Sequence, residues 1–313
     1  MNRIKQLIFI ILILVFYAPN LLVAQRLWTD QGDQYYEFSD KGIETVNPIN
    51  GMRTVFLSQQ LLIPKGATAA LKVENFSISK NKELILIYTN SKRVWRENTR
   101  GDYWVYNKKT NQLQQLGKKF PASQLMFAKF NLQADKVAYV NKADHNIYLE
   151  DLANGSIVSV TNDGTDRLIN GTFDWVYEEE FGCKDGFRWS PDGASIAYWK
   201  LDARNIRNFL MINNTDSLYS YTIPVEYPKV GQSPSACSIW TYELANEKST
   251  KINIPGDPNQ HYIPRMEWCL DSKQLILEQL NRKQNESKIY TVALSNNKGQ
   301  NIHQEQSDSW TDI

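Results

Sequence analysis

Three consecutive carboxylates, Glu178-Glu179-Glu180, follow Trp175-Val176-Tyr177 and precede Phe181. Adjacent carboxylates held together repel. At an effective dielectric of ~20, two unit charges ~4 Å apart interact by about 4 kcal/mol, so the run invites a cation. An ammonium set between two such groups makes charge-assisted hydrogen bonds of about 1.5–3 kcal/mol each. A peptide's α-amino group is a ligand of that kind. Trp175 and Tyr177 would pack beneath the segment and orient it. The same residues also suit an ordinary solvated face or the start of a helix, where negative charge complements the helix dipole.

Other chemistry is not marked. The chain contains no G-x-S-x-G elbow of the kind that raises a serine above a sheet in an α/β-hydrolase. Ser233 and Ser235 follow Gly231 but bracket Pro234, without a strand-to-helix context. No residue is therefore assigned as catalytic. The cysteines Cys183, Cys237 and Cys269 form no C-x-x-C pair and leave room for one disulfide and a free thiol. His145, His261 and His303 stand far from each other and from the cysteines, so no metal site and no cofactor are expected. A net charge of +1 offers no electrostatic footprint for nucleic acid or an anionic membrane.

The elements that must hold the acidic run are short strands between polar turns, and no long amphipathic helical period occurs. One unit recurs: a lead aromatic, a polar turn, then an apolar strand. Phe76 leads to Leu84–Tyr88, Phe130 to Val137–Val140, Trp189 to Ile196–Tyr198, and Trp268 to Leu275–Leu277. A second strand pair follows each copy, as at Tyr103–Tyr106 and Ile147–Leu149. The leads are spaced 54, 59 and 79 residues apart, near or above the four-stranded blade period of about 40–50. The long third interval places an insertion, an extended hairpin or loop, between Leu201 and Pro234. The fold class is all-β, a β-propeller of about four to five blades over residues 75–313, after a lead-in with first strands over 25–74. A ring of that size is open, and Ser309–Ile313 reads as the lead-in to another blade, so the chain is expected to be a fragment of a longer protein.

At the start, Arg3 and Lys5 precede an apolar run from Leu7 to Ala18, then Pro19 and a short segment ending Val23-Ala24-Gln25. This is signal-peptide grammar. The run is shorter than the about 20 residues that span a bilayer. Cleavage near Ala24 makes the protein exported, periplasmic or extracellular; an uncleaved segment would anchor it in the membrane.

The octet Asp174–Phe181, with Phe187-Arg188-Trp189-Ser190-Pro191-Asp192-Gly193 downstream, resembles the substrate-recognition segment of the dipeptidyl peptidase IV family. Tyr221-Thr222-Ile223-Pro224 and Val225–Gly231 resemble that family's strand leading to Y-P-K-x-G. The resemblance runs from about Asn75 to Ile313. It implies a propeller, eight-bladed in characterised members, that caps an α/β-hydrolase domain. It also implies that Glu179 and Glu180 bind the free N-terminus of a peptide, as the second and third glutamates of D-W-x-Y-E-E-E do. Arg96, in Val94-Trp95-Arg96-Glu97, matches the family's arginine for a substrate backbone carbonyl, with Arg93 and Arg100 close by.

The family's serine, aspartate and histidine lie in the hydrolase domain, which has no counterpart in these 313 residues. The resemblance thus implies the recognition part of a serine exopeptidase releasing X-Pro or X-Ala dipeptides, inactive by itself. Its partners would be peptides with a free N-terminus, the hydrolase domain and, in the full-length protein, a second copy. The alternative is an exported, non-catalytic propeller serving as a binding or scaffold module.

Overall fold

The computed structural model describes residues 26–313; the expected signal segment, 1–24, lies outside them. Contacts divide the chain after Leu71 into two compact units. In the first, β1 (Leu27–Trp28), β2 (Tyr35–Ser39), β3 (Gly42–Val46) and β4 (Arg53–Ser58) form an antiparallel four-stranded meander, followed by a 3-10 turn at Gln59–Leu62. Ile43, Leu57 and Leu62 close its core.

The second unit contains the four repeats, and each is a blade. The first is β5 (Asn75–Ile78), β6 (Leu84–Val94), β7 (Glu97–Asn107) and β8 (Gln112–Gln115). The second is β9 (Leu125–Phe130), β10 (Lys136–Asn141), β11 (Asn146–Asp151) and β12 (Ile157–Ser159). The third holds β13 (Leu168–Asn170), β14 (Phe187–Trp189), β15 (Ser195–Asp202), β18 (Ala236–Glu243) and β19 (Lys248–Lys251). The fourth is β20 (His261–Trp268), β21 (Gln274–Asn281), β22 (Glu286–Ala293) and β23 (Lys298–Gln306). The expected insertion is the hairpin β16 (Asn208–Asn213) and β17 (Tyr221–Glu226), which pair only with each other and expose Leu210, Met211 and Ile212. Among the described residues no helix is long and apolar enough to cross a membrane.

A blade's sheet buries its faces against its neighbours, and the apolar residues divide accordingly. Leu86, Tyr103, Val105, Val137 and Tyr139 fill the space between the first and second blades. Val140, Ile147, Phe187, Ile196 and Tyr198 do so between the second and third. Between the third and fourth lie Trp199, Leu201, Ile239, Ile263 and Leu277. The lead tryptophans add directed bonds: the Trp189 indole donates to Lys129 O at 3.1 Å, and the Trp268 indole to Arg188 O at 3.1 Å. The third blade is thus fastened to β9 of the second, and the fourth to β14 of the third.

One strand departs from regularity. Between Met126 and Lys129, β9 sets one extra residue against Val140–Ala138 of β10, and Phe127 there has φ +55°. This is a bulge whose left-handed position is normally glycine, and an ordinary L-residue pays about 1–2 kcal/mol to adopt it. At the same place β9 leaves β7. Their pairing is confined to Gly101 with Leu125 and Arg100 with Met126.

Candidate functional site

The acidic octet folds as α1 (Trp175–Phe181), the single short α-helix among the described residues. Seven residues are too few to hold a helix in water unaided, so its ends and buried face are fixed by the surroundings. Asp174 caps the start by accepting from Tyr177 N at 3.0 Å, and it also accepts from Ser235 Oγ at 2.5 Å. Burial pushes the Asp174 carboxyl pKa up, against the pull of these donors. Gly182 ends the helix at φ 64° in the left-handed region that favours glycine, and its N–H meets Tyr177 O. Val176, Tyr177 and Phe181 are buried. The Tyr177 hydroxyl accepts from Ile263 N at 3.0 Å, and Trp175 leans on Tyr227, ring centroids 4.5 Å apart. The expected support of the octet by its two aromatics is therefore present.

With that face anchored, the three glutamates occupy graded environments. Glu180 is exposed, with no hydrogen bond or ion pair identified among the described residues. Glu179, only 15% exposed, accepts from Arg96 Nε at 2.7 Å. Arg96 is carried there by the long β6–β7 hairpin, whose two-residue turn is Trp95-Arg96, with Trp95 at φ 50°. The pair joins residues 83 apart in sequence. Beside it, Lys184 pairs with Glu97 of the same hairpin. At 77% exposure the Arg96 side chain stays largely in water, so the pair adds at most about 1 kcal/mol of stability and can open at little cost. The structure thus brings together all three residues singled out from the sequence; Arg93 instead donates to Trp95 O and Arg100 to Ser123 O.

Glu178 is half-buried, and its Oε1 is closed from solvent without a hydrogen-bond partner. Burial pushes its pKa up to about 7, with Glu179 and Glu97 adding to the rise and Lys184 opposing it. The sign for stability follows directly. The folded chain keeps a proton that the unfolded chain releases near pH 4.5, so stability falls as pH rises from about 4.5 to about 7 and then levels. Glu178→Gln is expected to flatten that part of the profile, measured as denaturant midpoints at pH 5, 6 and 7.5; an unchanged slope would place the titration elsewhere.

Sequence reasoning did not find Arg265. It donates to Phe181 O and Pro264 O and lines a cleft of about 360 Å³ at the C-terminal end of α1, with Cys183, Arg188 and Glu267. A lone arginine in a strand carries no local signal of this placement. All three cysteines are free thiols, so the disulfide for which the sequence leaves room is not formed.

Residues 79–313 match the model of the dipeptidyl peptidase IV (DPP IV) N-terminal region. Dipeptidyl aminopeptidase B of Saccharomyces cerevisiae is 31% identical over 65% of this chain and 24% of its own length. Inactive dipeptidyl peptidase 10 of Rattus norvegicus is 24% identical over 86% of this chain and 33% of its own. The crystal structure of Porphyromonas gingivalis dipeptidyl peptidase 4 superposes with a TM-score of 0.82 at 27% identity, over 95% of this chain and 41% of that one. The chain spans about a quarter to a third of the length of these curated relatives. The match over three quarters of the chain, with a propeller architecture in common, places it in the dipeptidyl peptidase IV family, as that family's N-terminal region.

Proposed function

We propose that this chain is the substrate-recognition propeller of an exported dipeptidyl peptidase that releases X-Pro or X-Ala dipeptides. Glu179 and Glu180 receive the α-ammonium of the peptide, and Arg96 turns to a backbone carbonyl of the same peptide when the ammonium takes its place on Glu179. The observation that carries this reading is the pairing of one free and one weakly held carboxylate on a rigid helix, faced by an arginine from a different blade. Holding the free end fixes the count of residues from that end. Cleavage belongs to the hydrolase domain with which such a propeller works.

The test is direct. The unblocked peptide Ala-Pro-Ala-Ala-Ala-amide should bind the chain at least about tenfold more tightly than its N-acetylated form, by calorimetry or NMR titration, because acetylation removes the charge and its charge-assisted bonds. Equal affinities would sink the assignment. A second reading, a binding propeller in a protein without peptidase activity, is favoured by the relative whose name marks it as inactive. It predicts the same loss on acetylation but no release of dipeptide by the full-length protein.

A further inference from the structure

The bulge in β9 leaves an opening with a use of its own. Where β9 parts from β7, a cavity of about 290 Å³ opens, lined chiefly by apolar atoms, with Phe76, Leu86, Tyr88 and Tyr103 in its wall and the Phe127–Lys129 segment at its edge. That volume is at the lower end of small-ligand pockets and suits one large side chain. Polar groups stand at its border: Asn98 and Thr99 from the foot of the β6–β7 hairpin, and the Lys129–Asp185 ion pair. The Thr99 hydroxyl lies in the wall without a hydrogen-bond partner.

Two features separate this cavity from a packing fault. First, the left-handed backbone at Phe127 borders the cavity while its side chain packs on the core between the second and third blades, so the opening comes from the turn of β9 away from β7 and not from a missing core side chain. Second, the cavity is continuous in the chain with the candidate ammonium site. Arg96 lies three residues before Thr99 on one wall, and Glu180 lies five before Asp185 on the other, with the Glu97–Lys184 pair bridging the two segments. Three residues of extended strand cover about 10 Å, a distance that an extended peptide also covers in about three residues.

We infer that this cavity is a second peptide subsite, which receives an aromatic or large aliphatic side chain from about the third to fifth residue of the peptide whose free end is held at Glu179 and Glu180. The inference rests on the proposed ammonium site for its direction along the peptide. It adds a preference for sequence downstream of the first two residues.

The experiment titrates the chain with unblocked Ala-Pro-Ala-Ala-Ala-amide and with the three versions bearing Phe at position three, four or five. At one of these positions Phe should tighten binding about tenfold or more, as expected when most of an aromatic side chain leaves water. Ser77→Trp, at an exposed position on the cavity border, should fill the cavity and abolish that gain. Phe76→Ala, which removes a half-buried ring from the cavity wall, should abolish it while the chain stays folded. Glu180→Gln should weaken all four peptides by a common factor and leave the gain intact. No gain at any position, or a gain that survives both Ser77→Trp and Phe76→Ala, overturns the subsite. Because Ala-Pro-Ala-Ala-Ala-amide and its acetylated form report the ammonium site separately, failure of the subsite is distinguishable from failure of that site.

Discussion

Glu180→Gln is expected to weaken binding of an unblocked peptide by about 10- to 100-fold, the return of losing one charge-assisted hydrogen bond of about 1.5–3 kcal/mol. The melting temperature should not move, because Glu180 is exposed and outside the packing that holds α1. Glu179→Gln should weaken binding less. In the free chain Glu179 already accepts from Arg96, so part of its charge is answered before the peptide arrives. Calorimetric titration of both variants checks the order. A Glu180→Gln chain that binds like the parent would remove the main support for ammonium recognition, whereas a fall in thermal stability would show that Glu180 acts on the fold.

Asp174→Ala should have the largest effect on stability among changes near the site, about 2–4 kcal/mol by chemical denaturation. Loss of an N-cap costs about 0.5–2 kcal/mol. The buried Ser235 hydroxyl would also lose the carboxylate to which it donates, at about 1–3 kcal/mol for an unsatisfied group. Asp174→Asn keeps an acceptor and should cost less than half as much. Peptide affinity should fall in step in Asp174→Ala, since the glutamates ride on a helix that the cap starts. A change below about 0.5 kcal/mol would mean that Tyr177 and its bond to Ile263 hold the helix without the cap.

Much of this architecture is legible in the residues because a propeller repeats itself. The lead aromatics Phe76, Phe130, Trp189 and Trp268 lie in the first strand of each blade's hairpin, and the apolar runs after them form the next strand. The gap between Leu201 and Pro234 is the extra hairpin for the same reason: a period exposes what exceeds it. The composition of the octet suits a solvated face or a helix start as well as a cation site, and it is the resemblance to the dipeptidyl peptidase IV family that sets Glu179 and Glu180 apart. The octet's helix was also signalled, by an aspartate before the run and a glycine after it. What could not be read are contacts between residues far apart in sequence. Nothing local says that Arg96 and Glu179 meet, that Lys184 pairs with Glu97, or that Arg265 flanks the end of α1. These depend on how one blade is turned against the next. The strained Phe127 was equally hidden, since a phenylalanine in a strand pattern gives no sign that its backbone is left-handed.

The tryptophan bonds between blades have a direction. In both, the donor belongs to the later blade and the acceptor carbonyl to the earlier one: Trp189 reaches back to Lys129, and Trp268 to Arg188. The turns run the other way, with the Gln133 side-chain amide donating to Asp192 O and Asp192 N donating to Ser272 Oγ, so that each earlier blade donates to the later one. A chain made from its N-terminus onward presents each carbonyl before the indole that seeks it exists. The third and fourth blades therefore each meet bonding groups already displayed by the blade before them, as suits a chain whose N-terminal parts fold first.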